Sequence, residues 1–309
     1  AMPDAGSGTV AITGASGFVG AALASHLASR GWRLRLLVRP GSQGRLPRLD
    51  GAQVVVGSLG DANALRQLLD GAQALVHCAG AVRGLTRADF DRVNVEGVQT
   101  LLDAIDPAQR VVHISSLAAR HPDLSHYAAS KLAGEQRVTA QLPPQRRVVL
   151  RPPAIYGPGD RELRPLLDRM MRGLALLPGP AGARFSLLHV DDLARAVGCL
   201  LAGDADWGQT HEPDDGHRQG YRWQDLLDAV ARLRGAPVRA VRVPGPLLSA
   251  LGACNEVMAR LAGRAPMLSR GKARALRWPD WVAGGNASLL GSGWQPAIAL
   301  DRGLRDTLR

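Results

Sequence analysis

Through the first half of the chain, short unbroken apolar runs alternate with stretches in which apolar positions recur every three or four residues. The runs Thr9–Thr13, Arg33–Val38, Gln53–Val56, Ala74–Cys78, Arg110–Ser115 and Arg147–Arg151 read as strands. The central ones are apolar throughout, as a strand is when helices cover both of its faces. Val19, Leu23 and Leu27 stand at i, i+4 and i+8 with Gly31 as a stop, which predicts a helix from about Gly17 to Arg30. Asp61–Leu69 and Val93–Ile105 carry the same period. Strands and helices in this alternation predict an α/β fold with a doubly wound parallel sheet.

The pattern changes after Arg151, where Pro152, Pro153, Pro158, Pro165, Pro178 and Pro180 cut the chain into short elements before helices at about Asp192–Leu201 and Trp223–Arg234. The expected division is residues 8–151 for the first domain and 152–309 mainly for a smaller one. A short strand near Ser186–Val190 is expected to bring the segment of about 186–202 back to the main sheet. Asp191 and Asp192 precede a helix and read as N-caps. Pro244–Gly263 reads as an amphipathic helix, because Asn255, Glu256 and Arg260 interrupt it and exclude a membrane span. Its stripe of Leu247, Leu248, Leu251, Met258 and Leu261 is expected in the core, with cover for a hydrophobic substrate as the alternative.

Composition removes several classes. A chain of 309 residues, 46% apolar and 21% charged, is neither disordered nor collagen-like. Cys78, Cys199 and Cys254 form no disulfide framework, and the first seven residues, AMPDAGS, lack the features of a signal peptide, so a cytoplasmic location is expected. The net charge of +11 comes almost wholly from arginine, since Lys131 and Lys272 are the two lysines. The densest basic stretch, Arg264 to Asp280, reads as a solvated face, with anion docking as the alternative, and the absence of an aromatic from its first fourteen residues argues against nucleic acid. His77, His113 and His189 have no second ligand at metal spacing and are expected in the core, and no metal is expected. Cys78 reads as a small packing residue.

Candidate chemistry begins in TGASGFVG, where Gly14, Gly17 and Gly20 follow the first strand and open the first helix. Glycines permit the tight turn and close backbone approach, while a helix N-terminus offers free N–H groups to a pyrophosphate. A plain strand-to-helix turn is the alternative. The second strand ends in Arg39, accompanied by Arg35, Arg45 and Arg48, with no acid before Asp50. A carboxylate there would hold a ribose 2′-hydroxyl, whereas a guanidinium suits a 2′-phosphate, which favours NADP over NAD.

Ser115 and Ser116 end the strand VVHIS, and Tyr127 and Lys131 follow at i, i+4 on one face of a predicted helix. A phenol titrates near pH 10, so an adjacent ammonium that favours the phenolate would bring it toward the working range of an acid–base. A serine hydroxyl can hold a carbonyl oxygen while Tyr127 supplies a proton to the developing alkoxide.

These residues, together with the Asn94-containing VNVEGVQTLL, RPPAIYGPGD, HVDDLA and LLGSGWQPAIALDRGL, resemble the extended short-chain dehydrogenase/reductase family, also called the NAD-dependent epimerase/dehydratase family. The ordered set covers most of the chain and looks most like the dihydroflavonol-reductase and 3β-hydroxysteroid-dehydrogenase-like branch. The resemblance implies a Rossmann-like dinucleotide-binding domain and a smaller C-terminal substrate domain. It implies Tyr127 as acid/base, Lys131 as the residue that lowers its pKa and holds the nicotinamide ribose, Ser116 as the hydroxyl that orients the carbonyl, and Asn94 as support for the active-site helix. For the cofactor it implies Gly14, Ser16, Gly17, Phe18, Val19 and Gly20 at the phosphates and Arg39 at the 2′-phosphate. Ser58 and Leu59 would flank the adenine, Ala79 and Gly80 would pass beside the cofactor, and Pro152 and Ile155, with Tyr127 and Lys131, would line the nicotinamide pocket. Ser58 stands where relatives often carry an acid.

The expected activity is NADP(H)-dependent reduction of a ketone or aldehyde, with a small-molecule carbonyl or alcohol of hydrophobic character as substrate and a homodimer as the expected assembly. Two alternatives stand beside it. A nucleotide-sugar epimerase or dehydratase would use Arg161, Arg164 or Arg172 for the diphosphate, although only eleven positions separate Ser116 from Tyr127, fewer than such enzymes usually have. A non-enzymatic NADPH sensor or accessory subunit would be expected to have lost Tyr127 or Lys131.

Overall fold

The computed structural model describes residues 8–263, 265–285, 289 and 291–309. The leading AMPDAGS, Arg264 of the basic stretch and Leu290 of the late motif therefore lie outside the described residues.

The first half runs β1 (Thr9–Thr13), α1 (Phe18–Ser29), β2 (Arg33–Val38), β3 (Gln53–Val56), α2 (Ala62–Leu69), β4 (Ala74–His77), α3 (Arg87–Asp91), α4 (Gly97–Asp103), β5 (Arg110–Ile114), α5 (His126–Gln141) and β6 (Arg147–Leu150). The second half adds β7 (Ala154–Tyr156), α6 (Arg164–Met171), β8 (Leu174–Leu177), β9 (Arg184–Phe185), β10 (Leu187–His189), α7 (Val190–Ala202), β11 (Thr210–His211), β12 (Tyr221–Arg222), α8 (Trp223–Arg234), β13 (Arg239–Arg242), α9 (Gly245–Leu261), α10 (Arg270–Arg277), β14 (Asp280–Trp281) and α11 (Leu300–Leu308). Cys78, Ser115 and Arg151, expected as strand residues, lie just past the ends of β4, β5 and β6, where the chain leaves the ladder.

The main sheet is parallel and seven-stranded, in the order β3-β2-β1-β4-β5-β6-β11. This is a Rossmann-like doubly wound sheet, and its order reverses between β1 and β4, opening a crevice at their carboxyl ends where such sheets bind ligands. One face is closed by α1 and α7 around Leu23, Leu27, Leu193, Val197 and Trp294. The other is closed by α2, α4 and α5 around Leu65, Leu68, Val98, Leu101 and Val138. A third core, with Leu167, Met170, Leu226, Val230 and Leu304, unites α6, α8 and α11 beyond the sheet's end.

Three expectations are corrected. The strand at 187–189 pairs with β7 in a separate two-stranded sheet, and β11 is the late strand that joins the main sheet. Asp191 and Asp192 are not N-caps, because α7 begins at Val190 and His189 caps it by accepting from the Asp191 N–H through Nδ1 at 3.2 Å. Asp192 is fully buried and accepts N–H bonds from Ala297 and Ile298 at 3.1 and 2.9 Å, pinning the late segment onto α7. The α9 stripe, expected in the core, faces outward apart from Leu248.

Candidate active site

Gly14 ends β1 with φ of +79°, a left-handed conformation that favours glycine, and a Cβ there would come within 2.7 Å of the Ala79 nitrogen. The phosphate loop and the loop after β4 are thus packed backbone to backbone across the crevice. Gly20 is equally tight, since a Cβ on it would meet the Gly14 oxygen at 2.1 Å. Gly17 caps α1 without a side-chain hydrogen bond, and the first turn of α1, beginning with Phe18 and Val19, holds no acid. The N–H groups at this helix start therefore lie open to an anion from the side of half-buried Ser16. Thr13 ties β1 to β4 from below, bonding to His77 Nδ1 at 2.7 Å and accepting from the Ala79 N–H at 3.2 Å. Burial pushes His77 down to about 3, so it stays neutral, and His113 stacks on it with ring centroids 5.3 Å apart. The two histidines belong to the core, and no group of residues suited to hold a metal ion occurs among the described residues. Burial pushes the Cys78 thiol up to about 12, which leaves it an inert packing group.

The side where an adenosine is expected is open. Arg39 is exposed just past β2, Ser58 is exposed past β3, and Leu59 packs against the second core. The Ser58 hydroxyl accepts the Gly60 N–H at 3.3 Å within its own turn.

A turn of wider, π-type pitch at 92–96 carries Asn94 inward. Its amide accepts from the Ala81 N–H at 2.8 Å and donates to the Ala81 carbonyl at 3.0 Å and to Ser130 Oγ at 2.8 Å. Asn94 thereby fixes the loop after β4 to α5. Gly80 lies between them, where an added Cβ would stand 3.3 Å from Asn94 Oδ1 and 3.7 Å from Lys131 Nζ.

Ser115 and Ser116 diverge. The buried Ser115 hydroxyl donates to Glu135, which also takes a bidentate bond from Arg151 with Nη2 to Oε2 at 2.6 Å. Ser116 caps the following 3₁₀ turn by accepting the Ala118 N–H at 3.2 Å, and its hydroxyl lies on the Tyr127 side of the strand end, near enough to favour the phenolate. Desolvation pushes Tyr127 above the usual phenol range, the Ser116 hydroxyl lowers it and the Glu162 charge raises it; the lowering expected from Lys131 is not among these causes, so the net direction is opposite to the expectation. Lys131 is buried beneath, with Nζ donating to the Ile114 carbonyl at 2.8 Å, and desolvation pulls its ammonium down to about 8. Pro152 is buried past β6, where its carbonyl accepts the Leu117 N–H at 2.9 Å, and Ile155 on β7 packs against the first core.

Several contributing residues escaped the sequence reading. Glu135 stands four residues beyond Lys131, so the series 127, 131, 135 on one helical face was a usable signal. Ser130 lay inside the motif and was passed over. Glu162 had no local signal: it pairs with Arg83 and, at 2.6 Å, with Lys272 from residues far apart in the chain. The basic stretch is accordingly engaged, with Arg270 on Glu256 at 3.0 Å and Arg274 on the Leu124 carbonyl at 3.0 Å. Arg164, a candidate diphosphate contact, is bound to Asp168 and to the Leu308 carbonyl.

Residues 10–210 match the NAD dependent epimerase/dehydratase family. The chain belongs to this family. It is 38% identical to the ceramide reductase of Caulobacter vibrioides over 276 residues, covering 89% of this chain and 86% of that protein. It is 30% identical to the 4-hydroxy-2-methyl-3-oxo-4-farnesyl-3,4-dihydroquinoline-1-oxide ketoreductase of Stigmatella aurantiaca, over 90% of this chain and 87% of that one. The fold is shared with MoeE5, solved with UDP-glucuronic acid and NAD, at a TM-score of 0.72 and 20% identity over 97% of this chain and 98% of that chain. The reductase relatives place the chain on the reductase side of the family, the side its motifs resemble, as an oxidoreductase that uses a nicotinamide dinucleotide.

Proposed function

We propose that the chain is an NADPH-dependent reductase that converts a ketone or aldehyde on a hydrophobic, long-chain molecule to the alcohol. The observation that carries this reading is the placing of the Ser116 hydroxyl beside a half-buried Tyr127 phenol held in its protonated form, one helical turn from the buried Lys131 ammonium. Reduction needs a proton donor at the oxygen, and a phenol pushed above its usual range is in the donor form throughout the neutral region. Ser116 orients the carbonyl, because the Ser115 hydroxyl is committed to Glu135. Asn94 acts as a positioning residue that keeps α5 against the loop after β4.

The chain's own surfaces fit a dinucleotide. Gly14 and Gly20 let the loop after β1 close on itself and on the loop after β4, the α1 start without a side-chain cap suits a pyrophosphate, and Gly80 leaves room beside Lys131. The nicotinamide, when bound, supplies the hydride. Lys131 would hold its ribose, Ser58 and Leu59 would flank the adenine, and Pro152 and Ile155 would bound the nicotinamide side. Exposed Arg39, with no carboxylate at the end of β2, would take a 2′-phosphate. Residues 8–151 are then the dinucleotide half and the later elements the substrate side, and the cytoplasm is the proposed compartment. The long-chain substrate class is supported by relatives that are named for a ceramide and a farnesyl-bearing ketone. Of the three arginines named for the nucleotide-sugar alternative, Arg164 is held by Asp168 and the Leu308 carbonyl.

The test is NADPH and NADH consumption by the purified protein across long-chain ketones, aldehydes and quinones. NADPH turnover is expected, and NADPH binding with no turnover on any of them would refute the reading. Arg39→Asp should raise KM for NADPH about 10- to 100-fold, the loss of one charge-assisted contact, and leave NADH use equal or better. An unchanged NADPH preference would remove Arg39 from the cofactor site.

A further inference from the structure

The helix α9 carries a continuous apolar stripe that none of the described residues covers. Leu247, Ala250, Leu251, Cys254, Met258 and Leu261 follow the i, i+3, i+4, i+7, i+11, i+14 spacing of one helical face. All six are exposed, and the large ones heavily so: Leu247 51%, Leu251 49%, Met258 64% and Leu261 80%. The opposite face is the packed one, with Leu248, Gly252 and Ala259 buried and Gly252 seated against the backbone of Ser269 and Arg270. Val257 and Met267 add exposed apolar surface near the tip of the α9–α10 hairpin. An apolar face of this extent would not be left in water without a use.

We propose that the outer face of the α9–α10 hairpin docks on the surface of an anionic lipid bilayer and presents the active-site cleft to a substrate held there, an inference that rests on the reading of the chain as a reductase of long-chain carbonyl compounds. Charge supports this occupant. Residues 239–279 hold eight basic side chains against one carboxylate, Glu256, a net +7 out of the chain's +11. Among the described residues, Arg260 on α9 and Arg277, which donates to the Ser249 hydroxyl on α9 at 3.3 Å, have no carboxylate within ion-pair distance, and both are exposed. An apolar helical face bordered by arginine is the pattern of a helix lying in the headgroup region. A second copy of this chain fits worse, because a two-fold contact would set this basic surface against itself. No helix among the described residues is long and apolar enough to cross a membrane, so the hairpin lies on the surface.

The hairpin is also joined to the chemistry. Lys272 on α10 pairs with Glu162, whose charge acts on Tyr127, and Arg274 donates to the Leu124 carbonyl just before the Ser125 cap of α5. Gly271 sits against Ser125 so closely that a Cβ would come within 2.9 Å of the serine Cβ. The docking face and the helix that carries Tyr127 and Lys131 are therefore held in fixed relation.

The experiment is vesicle flotation with phosphatidylcholine alone and with an equal mixture of phosphatidylcholine and phosphatidylglycerol. The wild-type chain is expected to float with the mixed vesicles, more weakly at high salt, and little with neutral ones. The double variant Leu251→Glu, Met258→Glu changes two exposed positions. It should keep its melting temperature and its turnover of a short water-soluble ketone, while binding mixed vesicles about tenfold less or worse. Its turnover of a long-chain ketone presented in the same vesicles should fall in parallel. No flotation of the wild type, or equal flotation of the variant, would overturn the proposal. So would a wild-type dimer that does not float and that the double variant converts to a monomer, which would make the stripe a contact between copies. Flotation needs no turnover, so failure of the reductase reading would appear separately, as absent NADPH consumption on both ketones with flotation intact.

Discussion

Tyr127→Phe is expected to lower kcat for carbonyl reduction by about 100- to 10,000-fold while leaving NADPH affinity within a few-fold of wild type. The substitution removes one oxygen and keeps the ring, so the edge contact with Phe90, centroids 6.3 Å apart, should persist. What is lost is the proton held next to Ser116 at the place where an alkoxide would form. The measurement is steady-state turnover of wild type and variant on the same ketone, with cofactor binding followed by fluorescence. Near-normal turnover of the variant would show that the proton comes from elsewhere. Lys131 adds a pH signature. Desolvation lowers its ammonium to about 8, so the positive charge is present below that pH and lost as the pH rises through it. In the reducing direction kcat/KM should hold below about pH 8 and fall above it, and Lys131→Arg, which cannot lose its charge, should remove that falling limb in whatever activity it retains. The same lowered value makes the residue's contribution to folding less favourable at neutral pH than at high pH, because the unfolded chain holds the proton more tightly between about 8 and the ordinary lysine range.

Arg151→Met should destabilise the fold by about 3–5 kcal/mol, measured as the change in urea unfolding free energy. Glu135 is 5% exposed at its side chain and takes three bonds from the Arg151 guanidinium and one from Ser115. Removing the guanidinium leaves a buried carboxylate with a single hydroxyl donor, and the second acid on Arg151, Glu212 at 3.7 Å, loses a partner too. Replacing Glu135 by Gln in the same chain should recover part of the loss, since a neutral amide no longer requires the cation. If the single variant is as stable as wild type, the ion pair is not what fastens α5 to β6. Because α5 carries Tyr127 and Lys131, the variant should also lose activity at temperatures below its unfolding midpoint.

The sequence by itself determined the parallel sheet and the places of its first six strands along the chain. Unbroken apolar runs read as strands with helices on both faces, and β1, β2 and β3 fall on the expected residues because glycine and proline mark their ends. The placement of Tyr127 and Lys131 on one face of α5 was legible from four-residue spacing, and the bareness of Gly14, Gly17 and Gly20 from their position between strand and helix. Tertiary structure decided what periodicity does not encode, namely which of two equivalent choices a residue makes. Ser115 and Ser116 are alike in sequence, and they part because adjacent residues leaving a strand point to opposite sides, one to Glu135 and the other to Tyr127. Asp192 looked like a helix cap and became the anchor for Ala297 and Ile298, a contact across a hundred residues. The α9 stripe has the same period whether a core or solvent lies against it, since helical spacing gives the direction of a face and not what meets it. Glu162 joins the site only through Arg83 and Lys272, brought together by the packing of loops that no local pattern relates.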